Sequence, residues 1–387
     1  MQIIISKIQG ESQLSNLQKN IILSFLLTVL LCSAINISAK GKSRDLGLSA
    51  QHACLYIPEA NIIAYEKSAN ERHSMASTTK IMTALIALEN SELDRIVTVS
   101  EKAVGIEGSS VYLKGGDKYT MNDLLYALLL QSANDAACAI AIELGGSIEG
   151  FADMMNEKAA ALGLTDTHFE NPHGLDSENH YTTAKELALI TAEALKDPDF
   201  KTIVSTYRKT ISTIDGDCVR TVVNHNKMLL LYEDAIGVKT GFTKKTGRCL
   251  VSAAERDGLT LISVTLNASN DWSDHKKLLD CGFEEYEKKV LAKANEIVFD
   301  AYILNGEKQT VRCSNSDEIS LITERLQGDI TRKTELNRMI SAPVKKGDVL
   351  GYVFFKSGDT VLASSPLLAE EDVKEIKIKK GPFGFFK

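Results

Sequence analysis

The run STTKIMTALIALE, residues 77–89, sets Ser77 and Lys80 three positions apart at the head of an apolar, helix-forming segment. Its composition predicts a helix over Ser77–Glu89, with Ile81, Leu85 and Leu88 along one stripe. Residues i and i+3 share a helix face, so the Ser77 hydroxyl and the Lys80 amine come within reach of each other. A serine hydroxyl is a poor nucleophile until a neighbouring base takes its proton, and a neutral lysine can be that base. By itself the pair says little, because most Ser-x-x-Lys pairs are two solvated side chains.

Two further motifs follow in order: Ser132-Ala133-Asn134 and then Lys239-Thr240-Gly241. Ser-x-x-Lys, Ser-x-Asn and Lys-Thr-Gly, widely spaced in this order, form the signature of penicillin-binding proteins and class A β-lactamases. Each tripeptide occurs by chance; the ordered set is specific.

The bulk of the chain fits a secreted or envelope enzyme. At 387 residues and 44% hydrophobic it exceeds one typical domain and holds a sizeable core. A net charge of −7, without a basic stripe, argues against nucleic acid as a partner. No charge occurs from Asn20 to Ala39, and Lys40 and Lys42 follow small residues. Residues 1–39 thus have the layout of a signal peptide cleaved after Ala39, or of an uncleaved anchor. Both place the body outside the cytoplasm. The seven cysteines, including Cys32, Cys138 and Cys249, show no zinc-like spacing and read as free thiols, buried where the run is apolar.

Turn and capping signals divide the remainder. Cys54–Ile57 and Ile62–Tyr65 flank Pro58-Glu-Ala-Asn61 as a hairpin. Thr120-Met-Asn-Asp123 reads as a capping box before a helix that breaks at Ser132–Asn134 and resumes over 136–144. Phe151–Leu162 reads as a third helix stopped by Gly163, and Thr183–Glu186 caps a fourth. Cys249–Ala254 and Leu259–Leu266 around Asp257-Gly258 read as a hairpin, with Lys239–Gly241 opening or edging its sheet, and Trp272–Glu287 as a closing helix. The expected architecture is α+β: a catalytic domain over 40–288, built from an antiparallel sheet with a helical cluster, then a small all-β domain over 289–375. The tail 376–387 mixes lysine with phenylalanine, a composition suited to a membrane surface. Its Gly-Pro-Phe-Gly breaks any amphipathic helix, and a disordered tail is the expectation.

The chain resembles serine-type D-alanyl-D-alanine carboxypeptidases of the penicillin-binding protein 5 type, which carry the β-lactamase/transpeptidase-like fold. The blocks are Ala76–Thr83, Gly108–Asp117, Ser132–Ala137, Asn171–Asp176 and Val238–Thr243, and the resemblance spans about residues 45–288. Ala133 stands where the Ser-Asp-Asn version has Asp, which favours the carboxypeptidase branch over class A β-lactamases. The resemblance implies that Ser77 attacks the penultimate D-alanine carbonyl of a peptidoglycan stem peptide ending in D-Ala-D-Ala. It also implies that β-lactams acylate the same serine as covalent inhibitors.

The other roles follow from that resemblance. Lys80 is the acylation base, and its pKa must fall from about 10.4 to roughly 7–8, a destabilisation of the ammonium of about 4 kcal/mol. Burial and Lys239 as a second cation are the two means of supplying it. Lys239 and Thr240 bind the terminal carboxylate, and Gly241 permits close backbone approach. Ser132 relays a proton to the leaving amine, and Asn134 bridges substrate amide and Lys80. The N–H groups of Ser77 and Phe242 are the oxyanion donors, each worth a factor of roughly 10²–10³. His225, in Asn224-His-Asn226, stands where relatives carry another carboxylate-binding side chain; a structural imidazole is the competing reading.

No cofactor or metal is called for. His168, His173 and His180 match no ligand spacing, no His-Glu-x-x-His occurs, and His173 reads as turn and packing chemistry. No Gly-x-Ser-x-Gly elbow occurs either. A serine β-lactamase and a non-catalytic wall-binding protein are the rival readings.

Overall fold

The structure, a computed structural model, describes residues 45–325, 328–337 and 339–377. The leader reading of 1–39, Cys32 and the tail from 378 onward lie outside the described residues.

Strands β1 (His52–Ile57) and β2 (Ile62–Lys67) form the expected antiparallel hairpin, turned at Asn61 in the left-handed region. Then comes a short 3-10 turn, Ala76–Thr79, and only at Lys80 does helix α1 (Lys80–Asn90) begin. The sequence placed Ser77 inside the helix. Thr78 and Thr79 change this by turning their hydroxyls back onto the Met75 and Ala76 carbonyls, at 2.6 and 2.8 Å.

A short pair, β3 (Ile96–Thr98) and β4 (Lys118–Thr120), precedes α2 (Met121–Leu130), whose cap is the predicted Thr120, accepting from the Asp123 N–H. Helices α3 (Asn134–Gly145), α4 (Ile148–Ala161) and α5 (Ala184–Ala194) follow as read, α4 starting three residues earlier because Ser147 caps it. Helix α6 (Pro198–Ser205), the hairpin of β5 (Arg208–Ser212) and β6 (Val219–Val223), and the single turn α7 (Met228–Leu231) were not legible beforehand. Strands β7 (Ala235–Thr243), β8 (Gly247–Arg256) and β9 (Leu259–Leu266) complete a five-stranded antiparallel sheet in the order β2-β1-β9-β8-β7. The Lys239 motif therefore lies on an edge strand.

Strand alternation divides the core. Cys54, Cys249, Val251, Ile262 and Val264 face the helical cluster of α1 to α5. Leu55, Leu250 and Leu261 face the other way, against Leu278, Leu279 and Phe283 of α8 (Asp271–Glu285). The sheet is thus sandwiched between helices. Helix α8 ends two residues before the predicted Glu287, because Tyr286 already belongs to β10 (Tyr286–Ala292), which pairs with β13 (Ile319–Glu324).

The remaining strands, β11 (Val298–Leu304), β12 (Thr310–Ser314), β14 (Thr331–Leu336), β15 (Ile340–Ser341), β16 (Val349–Ser357) and β17 (Thr360–Ala369), form one sheet ordered β14-β16-β17-β12-β11-β15. It has its own core, including Ile303, Val311, Val353, Phe355 and Leu367. The α+β part followed by an all-β part is the architecture expected. Among the described residues Cys54, Cys138, Cys218, Cys249 and Cys313 are free thiols, and no helix is long and apolar enough to cross a membrane.

Candidate active site

Side chains at i and i+3 eclipse in a 3-10 turn, and this turn brings Lys80 Nζ to 3.0 Å from Ser77 Oγ. Lys80 is fully buried. Its Nζ also donates to Asn134 Oδ1 at 2.7 Å and to the His173 carbonyl at 2.6 Å. An ammonium has three protons for three acceptors. A neutral amine keeps two, which Asn134 and His173 can hold, and its lone pair then points at Ser77.

Burial is the main force driving the Lys80 pKa far below its ordinary value, and the charge of Lys239 adds to it; Cys138 and Asp135 oppose them. Lys239 is also buried, donates to the Thr240 carbonyl at 2.9 Å, and is pushed down to about 7 by desolvation. Both means of neutralising Lys80 read from the sequence are present.

Asn134 opens α3, and its amide is held at both ends: Oδ1 takes the Lys80 proton while Nδ2 donates to the Glu107 carbonyl at 2.5 Å. Its backbone N–H donates to Ser109 at 2.7 Å. Ser132 is buried beside it. Gly241 lies against the turn that carries Ser77. A Cβ there would stand 3.0 Å from the Met75 carbonyl oxygen and 3.1 Å from the Ser77 nitrogen, which explains the absence of a side chain. Phe242 beside it is exposed. His225 is exposed too, yet its ring is sufficiently desolvated, and sufficiently close to Lys239, for its pKa to be lowered. The sequence thus named groups that converge on Ser77 from the 3-10 turn, α3 and β7, with His225 at their margin.

Three supporting elements were missed. The His173 carbonyl is an acceptor for Lys80, and a main-chain group has no side-chain signature; the nearest sign was the Asn171-Pro-His-Gly turn, closed by Gly174 N–H donating to Asn171 Oδ1 at 2.7 Å. His180 buttresses the turn, bonded to Thr79 Oγ1 at 2.7 Å, with burial lowering its pKa to about 4. Asp135, almost fully buried, accepts from Ser110 Oγ at 2.6 Å and from the Leu113 N–H at 2.9 Å, tying the 107–113 loop to α3. Ala76, Ser132 and Tyr112 have φ of 47°, 61° and 56°. Left-handed backbone at such residues costs on the order of 1–3 kcal/mol each and concentrates at functional sites. No cluster of three His, Cys, Asp or Glu able to hold a metal occurs among the described residues.

Residues 38–270 match the family described as D-alanyl-D-alanine carboxypeptidase, and residues 286–375 match the penicillin-binding protein 5 C-terminal domain. The chain is 33% identical to D-alanyl-D-alanine carboxypeptidase DacF of Bacillus subtilis, covering 86% of this chain and 88% of that one. It is 32% identical to DacC of Escherichia coli, covering 80% of each. Among solved structures, penicillin binding protein 5 from Haemophilus influenzae is similar at a TM-score of 0.65 and 28% identity, covering 85% of this chain and 98% of that one.

Proposed function

The chain belongs to the D-alanyl-D-alanine carboxypeptidase family, and from that premise we propose a division of labour among its residues. It is a serine D,D-carboxypeptidase of the penicillin-binding kind, a hydrolase of the cell wall. Ser77 Oγ attacks the penultimate D-alanine carbonyl while its proton passes to neutral Lys80. The oxyanion is held by the N–H groups of Ser77 and Phe242. The proton travels through Ser132 to the amine of the terminal D-alanine, the C–N bond breaks, and D-alanine leaves. Water then hydrolyses the ester on Ser77. Lys239 and Thr240 hold the terminal carboxylate, with His225 at the edge of that subsite. The observation that carries this reading is the three-bonded Lys80 amine, buried and aimed at Ser77.

Residues 40–288 serve as the catalytic domain and 289–375 as a spacer or interaction domain. Export is supported by the uncharged stretch 20–39, cleaved after Ala39 or kept as an anchor, with the basic, aromatic tail available to a membrane surface.

The test uses the chain from Lys40 onward. Labelled penicillin should give a long-lived adduct mapping to Ser77, and a peptide ending in D-Ala-D-Ala should release D-alanine. Rapid loss of label as penicilloic acid, without D-alanine, would instead indicate a β-lactamase.

A pH dependence follows. In the free enzyme Lys239 loses its charge as pH rises through about 7, and the substrate carboxylate loses its partner. Binding that carboxylate favours the ammonium and raises the Lys239 pKa again. Hence kcat/KM should decline above about pH 7, while kcat, which reports the loaded enzyme, should hold to higher pH. Parallel profiles of kcat and kcat/KM would remove the assignment of Lys239.

A further inference from the structure

We propose that Tyr112 is a specificity-determining contact for the donor side of the substrate, its ring bearing on the apolar portion that lies beyond the scissile amide. The inference rests on the Ser77 site above. Lys239 and Thr240 on β7 take the leaving-group end, which leaves Asn134 and whatever is fastened to it to flank the donor. What is fastened to it is the 107–113 loop, through the Glu107 and Ser109 carbonyls.

That loop is held in a single shape from two sides. From α3, Asp135 takes the Ser110 hydroxyl and the Leu113 N–H. From β6, Arg220 donates to the Tyr112 carbonyl at 2.6 Å and to the Tyr119 hydroxyl. The Tyr112 N–H closes onto Ser110 Oγ at 2.9 Å. Together these hold a tyrosine at φ 56°, a conformation glycine would adopt without strain.

The result is a sharp alternation of burial. Val111 is 4% and Leu113 5% exposed, whereas Tyr112 between them is 80% exposed. Its ring therefore adds little to the core, and the fold supplies strain and the anchoring bonds from Asn134, Asp135 and Arg220 to present it. An aromatic body with a polar tip, rigidly presented, suits contact with an aliphatic or aromatic group at low entropic cost.

The test compares substrates that differ only on the donor side. Acylation of Ser77 by benzylpenicillin is set against acylation by 6-aminopenicillanic acid, which lacks the aromatic side chain. For Tyr112→Ala the ratio of the two second-order rate constants should fall about three- to tenfold. Tyr112→Phe should keep the ratio within about twofold. Tyr112→Gly should lose the ratio as alanine does, although it relieves the backbone and melts no lower than the parent. Equal loss with both penicillins would mean that Tyr112 acts through the loop on Asn134, and an unchanged ratio would mean no contact; either overturns the proposal. Failure of both penicillins to label the unaltered chain at Ser77 would instead sink the underlying site.

Discussion

Lys80→Ala should lower kcat/KM for D-alanine release by a factor of about 10⁴ or more, and should suppress penicillin labelling of Ser77 to a similar degree. The size follows from the absence of a substitute base: Ser77 Oγ has Lys80 as its hydrogen-bonded partner, and the other contacts of the amine orient it. Lys80→Arg distinguishes base from charge. A guanidinium stays protonated in proteins, so it could repel Lys239 and bond Asn134 but could not accept the serine proton. It should be as inactive as alanine. Labelling by stopped-flow, with mass spectrometry to count adducts, reads both variants, and appreciable activity in Lys80→Arg would refute the general-base role. Folding should survive the alanine change, since a buried amine that must be kept neutral contributes little net stability.

The second large effect comes from a residue with no side chain. Gly174 has φ 87°, and a Cβ there would collide with the Ala76 carbonyl and stand 2.8 Å from Thr79 Oγ1. Backbone strain and overlap therefore coincide, and what must move is the turn carrying Ser77. The preceding carbonyl, that of His173, is one of the Lys80 acceptors. Gly174→Ala should cost about 3 kcal/mol or more in stability and at least about a hundredfold in kcat/KM. Gly163→Ala is the comparison, because Gly163 has φ 73° but open space around its Cβ position. That variant should lose only about 1 kcal/mol and keep its activity. Equal melting temperatures for the two would show that the overlap is relieved without consequence.

Legibility followed the kind of group involved. Ser77, Lys80, Asn134 and Lys239 could be singled out as candidates because acid–base and carboxylate chemistry require particular side chains, and these stand in three motifs of recognisable order. The β8–β9 hairpin was found because Asp257-Gly258 interrupts two apolar runs, and both residues do take positive φ. The β5–β6 hairpin was missed: its strands alternate short apolar positions with Arg208, Lys209 and Arg220, and burial is confined to Ile211 and Val222. The start of α1 was misplaced because threonine hydroxyls compete locally for carbonyls, which propensity does not register. The His173 carbonyl and the Gly174 approach could not be found from side chains, because both act through the main chain.

Strand β7 ends its sheet, and that has a consequence for what the enzyme can recognise. Alternate amides and carbonyls of an outermost strand have no neighbour, so an extended peptide can dock there as a sixth strand. Ladder pairing of that kind is indifferent to side-chain identity. It would grip any peptide backbone of the right length, and it leaves selectivity to the groups at either end of the docked segment. The same open ladder is also where two copies of a protein can join by mistake. Here the edge runs over Ala235–Thr243, where Ile236 and Val238 pack inward and Phe242 is the large apolar side chain left exposed. A substrate strand in place would close that edge, so saturating peptide should reduce self-association as well as stabilise the fold.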